Sequence, residues 1–579
     1  MPDLKFSNAE PDESERLLID ALVDNPPIIR HSERVVHGGV RRAKDVRHLL
    51  LPGLHLLNNS KGWISPGGLN YLAESLRVPP AEAFGVASFY DLFELEEPEG
   101  DGPRHHVCVD PSCAIAGASS YAEHLRSQGH SVHESPCLGQ CERGPALFVQ
   151  ARGSAPIDMS SGANEEPQFD TTLSNKLLQR FGNVDPTSLE SYRESGGYQA
   201  LDRALSLGSD EVLKLVTDAG LTGRGGAAFP TGIKWRAVAE HHGPQKYVVA
   251  NADESEPGTF KDRMILENDP FALIEAMTIA GVSTGCFKGW IYVRGEYTTA
   301  AELLTSAIEQ AYDAGLLGEH AQNDSYSFDI ELRQGAGAYI CGEETALFNS
   351  IEGFRGEPRS KPPFPTDSGL FGCPTIVNNP ETLLNVLEIV LHGVEGFRAA
   401  GTRESPGTKL FCVSGDVGRP GLYEAEFGVP LRVLLAAADT PSSEIRAVLL
   451  GGAAGSFLGP DQLDVPLSFE GAAASDATLG SGAVMAFSKD ADFLGIVSQL
   501  AKFFRDESCG QCVPCRIGTT RQHEVLLQID STGPNSKQRN LLADLSLVMG
   551  DASICGLGHT AASAVQSALR EGLLGEPYE

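Results

Sequence analysis

Apolar residues in the middle of the chain follow two alternating spacings. Short apolar runs that predict β-strands occur at Tyr247–Ala250, Trp290–Arg294 and Phe328–Leu332, and stretches with apolar residues at helical spacing separate them. Strands that alternate with helices are typical of an α/β sheet. The pattern therefore predicts an α/β domain over residues 186–405.

The hydrophobic pattern changes on both sides of this domain. Residues 1–100 are predicted to be helical, because Ser65 and Pro66 form a helix start and residues 79–93 place apolar residues at near-helical spacing. After Thr408 the pattern predicts a hairpin that leads to a helix, which indicates a small α+β domain over residues 406–492. The last residues, 493–579, are predicted to be helical.

Between the helical start and the α/β domain lies a predicted domain over residues 101–185. Its polar, turn-rich segment at residues 154–170 is predicted to be a loop or hairpin. Pro, Ser and Gly then cluster at residues 181–197 before a helical pattern resumes. Because these residue types mark turns and linkers, we place the boundary around Asp185.

Composition and charge exclude several classes of protein. The 579-residue chain has a formal net charge of -32, which argues against nucleic-acid binding, since that requires Lys and Arg to neutralise phosphates. No apolar run approaches the ~18 residues of a membrane span, and the opening residues are acidic, so we expect a cytoplasmic protein. Twelve cysteines are too few for a disulfide scaffold here, and their clustering points to metal.

A glycine-rich stretch at Gly223–Trp235 suggests a ligand site. Closely spaced glycines let backbone N–H groups approach an anion such as a phosphate, and Lys234 adds a positive charge. The stretch matches neither the Rossmann nor the Walker pattern. On its own it is equally compatible with a surface loop.

Two further stretches place acidic residues where ligands bind in α/β proteins. Asn251, Asp253, Glu254 and Glu256 follow a predicted strand, and open sheets bind ligands at the carboxyl ends of their strands. Glu343 and Glu344 begin a predicted helix after a Gly/Ala turn. This second pair has an alternative explanation, because acidic residues in a first helical turn complement the helix dipole.

The first cysteine quartet consists of two pairs, Cys108 with Cys113 and Cys137 with Cys141. Four thiolates from two loops can hold a 2Fe-2S cluster, since each iron needs two sulfurs besides the bridging sulfides. Zinc is the competing metal, although structural zinc usually prefers two-residue spacing within a pair.

The second quartet has the spacing of a ferredoxin ligand run. Cys509, Cys512 and Cys515 are separated by two residues each, and Cys555 is available as a distant fourth ligand. This pattern predicts a 4Fe-4S cluster, with zinc as the alternative. The four remaining cysteines lie singly in apolar surroundings and are predicted to be core residues.

The glycine-rich stretch and the two acidic stretches resemble a known family. Together with residues 360–365 and 373–382 they are similar to the flavin-binding subunit of respiratory complex I and to the diaphorase subunits of NAD-reducing hydrogenases and NAD-dependent formate dehydrogenases. Residues 1–185 resemble the thioredoxin-like 2Fe-2S subunit of complex I, here fused to the rest. The resemblance implies an N-terminal helical bundle, a thioredoxin-like domain, a Rossmann-like FMN domain, a ubiquitin-like domain and a C-terminal helical bundle with a 4Fe-4S cluster.

The resemblance also implies roles for individual residues. The positions that match FMN-binding residues are Gly223, Gly225, Lys234, Asn251, Asp253, Gly342, Glu343, Asn378 and Asn379. The positions that match residues lining the dinucleotide pocket are Gly226, Phe229, Glu256, Glu344, Lys361 and Phe364, of which Glu256 and Glu344 are the catalytic candidates. One position departs from the family, because Ala228 stands where glycine is common.

The combined sites predict an NAD-dependent oxidoreductase. Nicotinamide transfers a hydride, whereas an iron-sulfur cluster accepts one electron at a time, and flavin can do both. We expect the partners to be NAD(H) and the other subunits of a complex. Because the fused chain has a complete first quartet, we interpret this complex as a molybdenum-containing formate dehydrogenase. The alternatives are complex I, an NAD-reducing hydrogenase, and a non-catalytic zinc-stabilised scaffold.

Overall fold

The computed structural model describes residues 8–24, 46–98, 100, 102–160, 168–243, 245–530 and 533–575. The first helices of this part pack together, and a 3-10 turn at Arg47–Leu49 precedes the second of them; the helices are Glu13–Asp24, Leu50–Lys61, Pro66–Ser75 and Pro80–Ala87. The predicted helix start is confirmed, because Ser65 Oγ accepts a hydrogen bond from Gly68 N at 2.9 Å and Pro66 is the first helical residue. Residues 1–7 of the acidic opening lie outside the described residues.

The thioredoxin-like domain is built on a four-stranded sheet with the order β2-β1-β3-β4. Its strands are β1 (Arg104–Cys108), β2 (Ser131–Ser135), β3 (Ala146–Gln150) and β4 (Ile157–Ser160), and its helices are Pro111–Ile115 and Ala118–Ser127. β1 is parallel to β2 and antiparallel to β3. β3 and β4 pair in antiparallel fashion and form a hairpin, which is one of the two alternatives expected for residues 154–170. Residues 161–167 of that segment lie outside the described residues.

The central domain contains a five-stranded sheet with the order β10-β6-β7-β9-β8. Its strands are β6 (Tyr247–Ala252), β7 (Lys288–Val293), β8 (Gly318–His320), β9 (Tyr326–Gln334) and β10 (Thr375–Asn378). All neighbours are parallel except β8 and β9. The three strands predicted from the sequence are thus confirmed as β6, β7 and β9, with ends shifted by at most two residues.

Helices cover the central sheet. They are Leu189–Glu194, Gln199–Leu207, Ser209–Asp218, Thr231–Glu240, Lys261–Asn268, Pro270–Thr284, Thr298–Asp313, Glu344–Ile351 and Pro380–Arg398, with short turns at Ala321–Asp324, Tyr339–Gly342, Pro365–Ser368 and Leu370–Gly372. Val248 and Ile291 face one hydrophobic cluster, whereas Val249 and Trp290 face a second cluster shared with the N-terminal and C-terminal helices. Both faces of the parallel strands are therefore buried, which explains their continuous apolar runs.

A third sheet of six strands has the order β14-β13-β15-β11-β12-β5. Its strands are β5 (Phe169–Asp170), β11 (Thr408–Gly415), β12 (Gly421–Glu426), β13 (Ile445–Leu450), β14 (Ser456–Leu458) and β15 (Ala483–Ser488). The predicted hairpin and helix are present as β11, β12 and the helix Leu431–Ala437. The other helical segments of this domain are Phe469–Ala473 and the turn Pro460–Gln462.

The C-terminal region is helical, as predicted. Its helices are Phe493–Asp506, Val513–Leu526, Ser536–Ala552, Gly556–Thr560 and Ser563–Arg570. Within the part of the chain that the structure describes, none of the helices combines the length and the apolar character that a membrane span needs.

The segment after β4 belongs structurally to the third sheet. β5 lies within residues 101–185, which we assigned to the thioredoxin-like domain, yet it pairs in parallel with Leu422 and Tyr423 of β12. Glu424 Oε2 then accepts hydrogen bonds from the backbone N–H groups of residues 176, 177 and 178 at 2.9 to 3.2 Å. Two strands of a sheet and a buried carboxylate therefore hold this segment, and the boundary near Asp185 remains a proposal.

We predict that Glu424→Leu loosens the segment at residues 168–185. The substitution leaves the backbone donors of Lys176, Leu177 and Leu178 without their acceptor, and buried unsatisfied donors cost about 1–3 kcal/mol each. Limited proteolysis should cut this segment faster in Glu424→Leu. Glu426→Leu, at the exposed end of the same strand, is the matched control. Equal cleavage of the two variants would show that Glu424 does not hold the segment.

Candidate functional site

The glycine-rich stretch forms a closed loop that leads into a helix. Gly223 N donates to Phe229 O at 2.9 Å, and Thr231 N donates to Leu221 O at 2.8 Å, after which the helix Thr231–Glu240 begins. Ala228, the residue that departs from the family, has φ +50°. Since glycine adopts this left-handed conformation without the steric cost that a Cβ brings, the family's preference for glycine here has a backbone cause.

Two buried positive charges hold the loop from behind. Lys409 Nζ on β11 donates to Arg224 O and to Ser481 O, both at 3.1 Å. The Arg224 guanidinium donates to Pro406 O at 2.9 Å and lies 4.5 Å from the centre of the Phe427 ring. Burial lowers the pKa of Lys409 to about 8 and that of Arg224 to about 10. The loop is thus fixed to the third sheet by contacts that sequence reasoning missed.

A cavity of about 410 Å³ lies at the carboxyl ends of the central strands. The predicted site residues that line it are Gly225, Gly226, Asn251, Asp253, Glu256, Gly342, Glu343 and Asn379. The third sheet and the C-terminal helices complete its walls through Ser481 and Leu557. The structure therefore brings together eight of the predicted residues from four separate stretches of sequence.

A buried oxygen without a hydrogen-bond partner in the described part of the chain makes this cavity compatible with a flavin, whose ring carries an N–H donor. Asn251 Nδ2 donates to Gly342 O at 2.8 Å, and a Cβ on Gly342 would stand 3.3 Å from Asp253 O, so a side chain at this position would crowd Asp253. Asp253 Oδ2 is buried and has no hydrogen-bond partner among the described residues, and burial raises the pKa of Asp253 well above its usual range. A ligand with N–H or O–H donors would satisfy this oxygen.

The remaining predicted residues surround the cavity without lining it. They are Gly223, Phe229, Lys234, Glu344, Lys361, Phe364 and Asn378. Lys361 Nζ binds Glu343 Oε1 at 2.9 Å and Glu344 Oε1 at 2.6 Å. Phe229 and Phe364 are 51% and 54% exposed, so both rings are accessible from solvent.

Lys234 and Asn378 have structural contacts that sequence reasoning did not predict. Lys234 Nζ donates to Val377 O at 2.8 Å, and burial lowers the pKa of this ammonium. Asn378 Oδ1 accepts from Trp235 Nε1 at 2.9 Å. Both side chains therefore join the helix Thr231–Glu240 to β10, the edge strand beside the loop.

A buried ion cluster forms the floor of the cavity. Lys261 Nζ lies 2.8 Å from Asp262 Oδ2, 3.2 Å from Glu381 Oε2 and 4.0 Å from Glu254 Oε1. Although burial opposes its charged form, these carboxylates raise the pKa of Lys261. Burial and the charge of Asp262 raise the pKa of Glu254 to about 7. The charged run at residues 261–263 after the acidic loop was the available signal, but sequence alone does not show that it is buried.

Glu256 lies on the opposite side of the cavity, against the third sheet. Its Oε1 accepts from Ala454 N at 2.9 Å and its Oε2 accepts from Ser481 Oγ at 3.2 Å. Burial raises the pKa of Glu256 to about 7. Its carboxyl group is therefore fixed in position and changes charge near neutral pH.

The first cysteine quartet is assembled in the thioredoxin-like domain. All four cysteines are buried and free, and Cys137 Sγ lies 3.7 Å from Cys141 Sγ. Gly139 between them has φ +67°, and a Cβ there would stand 2.1 Å from the Tyr297 hydroxyl oxygen. Only glycine fits this close approach, so residues 137–141, the first cluster loop, lie directly against the central domain.

Buried arginines connect this loop to the wall of the cavity. Arg294 donates to Cys137 O at 2.5 Å through Nη2 and to Glu254 O at 2.8 Å through Nη1. Arg263 Nε donates to Gly139 O at 2.9 Å and its guanidinium pairs with Glu142. Arg294 therefore joins the first quartet directly to Glu254, which lines the cavity.

The second quartet surrounds a small cavity of its own. Cys509, Cys512, Cys515 and Cys555 all line it. Ile340 and Leu557 line both this cavity and the larger one. The predicted 4Fe-4S site and the predicted flavin site are thus neighbours, with Ile340 and Leu557 as their shared wall.

Three family models match the chain in the order that the sequence predicts. They are a thioredoxin-like [2Fe-2S] ferredoxin over residues 38–159, the Nuo51 FMN-binding domain over residues 216–388, and the NADH-ubiquinone oxidoreductase-F iron-sulfur binding region over residues 495–571. The chain is 41% identical to the NADP-reducing hydrogenase subunit HndC of Solidesulfovibrio fructosivorans, over 69% of this chain and 83% of that protein. It belongs to the family of NADH-binding FMN and iron-sulfur subunits.

Other members of this family are similar over comparable lengths. An NADH-quinone oxidoreductase subunit of Rhizobium meliloti is 40% identical over 68% of this chain and 94% of that protein. One chain of the NAD⁺-reducing [NiFe]-hydrogenase in the air-oxidised state superposes with a TM-score of 0.78 at 31% identity, covering 94% of this chain and 96% of that chain. The predicted fold class is confirmed, and the fused arrangement has a full-length structural counterpart.

Membership of this family confirms the class of enzyme and its cofactors. The chain is an NAD-dependent oxidoreductase with FMN-binding, 2Fe-2S and 4Fe-4S domains. The alternative of a zinc-stabilised scaffold without catalysis is therefore not supported. The assignment of individual residues to these cofactors remains a proposal.

We predict that Glu256→Gln changes the pH dependence of stability in the flavin-free protein. The Glu256 carboxyl has a pKa of about 7 in the folded state and 4.5 when exposed. The folded state therefore binds the extra proton between these values, and the contribution of Glu256 to stability is lost as pH rises towards 7. Relative to wild type, Glu256→Gln should be more stable at pH 8 than at pH 5 by about 2–3 kcal/mol. Thermal unfolding at both pH values measures this difference.

The control for this measurement is Glu190→Gln, which removes an exposed carboxylate. If Glu256→Gln shifted stability equally at both pH values, Glu256 would not titrate near neutral pH.

Separate substitutions should remove the two clusters one at a time. We expect Cys512→Ser to abolish the 4Fe-4S signal and Cys137→Ser to disturb only the 2Fe-2S signal, because the quartets lie in different domains. Electron paramagnetic resonance of the dithionite-reduced proteins distinguishes the two signals. Loss of both signals in either folded variant would refute the assignment of ligands to two quartets.

Proposed function

We propose that this chain is the diaphorase subunit of an NAD-dependent formate dehydrogenase, located in the cytoplasm. The observation that carries the diaphorase role is the shared wall between the flavin-sized cavity and the second cysteine quartet. The formate context is supported by the first quartet, which is complete and buried in a chain that fuses both modules. A molybdenum-containing subunit would then be the partner that oxidises formate.

The proposed FMN site is the floor and near wall of the cavity. Asp253 Oδ2, buried and without a hydrogen-bond partner among the described residues, would accept from a donor on the flavin ring, and Gly225 and Gly342 would allow its close approach. Gly223, Lys234 and Asn378 would act by holding the glycine-rich loop and the helix after it in place. Bound FMN supplies the conversion between hydride transfer and one-electron transfer.

The proposed dinucleotide site is the mouth of the cavity. Phe229 and Phe364 would stack on the adenine, since both rings are half exposed. Lys361 binds the carboxylates of Glu343 and Glu344. In the dinucleotide site Glu344 would accept hydrogen bonds from ribose hydroxyls, and Lys361 would donate to a phosphate. Glu256, fixed by Ala454 N and Ser481 Oγ, would orient the nicotinamide end through its carboxyl group.

An NAD-reducing hydrogenase is the second candidate. The observation that favours it is the full-length match to a chain of an NAD⁺-reducing [NiFe]-hydrogenase, which includes the fused thioredoxin-like domain. The complex I alternative has similar sequence support from the NADH-quinone oxidoreductase relatives, which align with about two thirds of this chain.

The native assembly distinguishes these candidates. We expect a purified complex containing this chain to reduce NAD⁺ with formate and to contain molybdenum but no nickel. Formate-dependent NADH formation and metal analysis should be measured on the same sample. Hydrogen-dependent activity with nickel would assign the chain to a hydrogenase instead, and quinone reduction without either metal would assign it to complex I.

A further inference from the structure

Three potential metal ligands lie together outside the flavin cavity and both cysteine quartets. One ligand atom from each of Asp91, His106 and His133 lies within 4.8 Å of the other two. Asp91 follows the last N-terminal helix, whereas His106 and His133 are opposite each other on the paired strands β1 and β2. His133 Nε2 lies 3.2 Å from Asp91 Oδ2, and the two imidazole ring centres are 5.1 Å apart. Two imidazoles and a carboxylate from two domains therefore meet at one point.

Gln150 determines which nitrogen of His106 carries the proton. Gln150 Nε2 donates to Leu92 O at 3.2 Å, so Gln150 Oε1, which lies 2.8 Å from His106 Nε2, must be an acceptor. His106 Nε2 then carries the hydrogen, and Nδ1 carries a lone pair. Nδ1 is buried and has no hydrogen-bond partner among the described residues. Metal-binding histidines commonly have this arrangement, with one N–H donated to a carbonyl oxygen and the other nitrogen free to coordinate.

A cavity of about 650 Å³ gives access to this cluster. Asp91 and His133 line it, while His106 is fully buried behind them. Arg104, whose charge would oppose a bound cation, also lines the cavity but is paired with Glu94. The cavity therefore provides both an entry path and space for a water molecule as a further ligand.

We propose that Asp91, His106 and His133 form a zinc site, with His106 coordinating through Nδ1 and a fourth position open to the cavity. Zinc accepts imidazole nitrogen and carboxylate oxygen in tetrahedral geometry, whereas calcium and magnesium favour oxygen ligands. The site joins the N-terminal helical region to the thioredoxin-like domain. The site is separate from the residues proposed to hold the cofactors of electron transfer.

The test is zinc analysis of the full chain with its FMN and iron-sulfur clusters in place. After equilibration with zinc alone and removal of unbound metal, we expect about one zinc per chain, and X-ray absorption at the zinc edge should show nitrogen and oxygen ligands at about 2.0–2.1 Å. His133→Ala should abolish zinc binding while iron and FMN content stay at wild-type levels. His124→Ala, an exposed histidine of the same domain, should bind zinc normally.

Gln150→Leu tests the role of the second ring nitrogen without removing a ligand. We expect it to weaken zinc binding by about 10–100-fold, the usual effect of removing the partner of a coordinating histidine. This variant also serves if a ligand substitution fails to fold. The proposal is overturned if the wild-type chain binds no zinc, if His133→Ala binds zinc as wild type does, or if the zinc has sulfur ligands at about 2.3 Å, which would place it in a cysteine quartet.

Discussion

The buried charge of Lys261 is the interaction on which the geometry of the site depends. Its ammonium is enclosed by carboxylates from the loop after β6 and from the start of the helix Pro380–Arg398. Glu381, one of these carboxylates, also accepts from Leu410 N on β11 at 2.8 Å and lies 3.6 Å from Lys409 Nζ. A buried charge is tolerated only when it is paired, so removing one partner costs about 3–5 kcal/mol. The central and third sheets are thereby fixed relative to each other at the cavity floor.

The same reasoning explains how the thioredoxin-like domain is held. Arg294 and Arg263 are buried, and each donates to a backbone carbonyl of the first cluster loop. Their own charges are balanced by Glu296 and by Glu142 and Glu267. Because these partners come from both domains, the cluster loop cannot separate from the cavity wall without exposing unpaired charge to an apolar interior. The fusion of the two modules in one chain is accompanied by an interface that is buried and specific.

Local patterns in the sequence were sufficient for part of this account. The cysteine spacings predicted both quartets, and apolar runs predicted β6, β7 and β9, because such signals depend on neighbouring residues only. The resemblance to a family supplied Asp253 and Glu256, which the structure places in one cavity. The buried charges were not predictable from the sequence alone, because charged residues in a sequence pattern normally indicate an exposed surface.

The pairing of β5 with β12 was missed for a related reason. A strand of two residues has no recognisable hydrophobic period, and its partners, Leu422 and Tyr423, are more than two hundred residues away in the sequence. Likewise, the contact that holds Lys234 is a backbone carbonyl of β10, which no side-chain pattern reveals. Contacts between distant segments therefore account for most of what sequence reasoning did not find.

The central claim is that electrons pass from NADH, bound in the larger cavity, to the cluster held by the second quartet. They cross the wall formed by Ile340 and Leu557. Anaerobic titration of the isolated full-length chain with NADH tests it most directly, with flavin absorbance and low-temperature electron paramagnetic resonance recorded on each sample. The account predicts bound FMN that NADH reduces and a 4Fe-4S signal that appears in the same titration. Flavin reduction that leaves the 4Fe-4S cluster oxidised, despite its reduction by dithionite, would contradict the account.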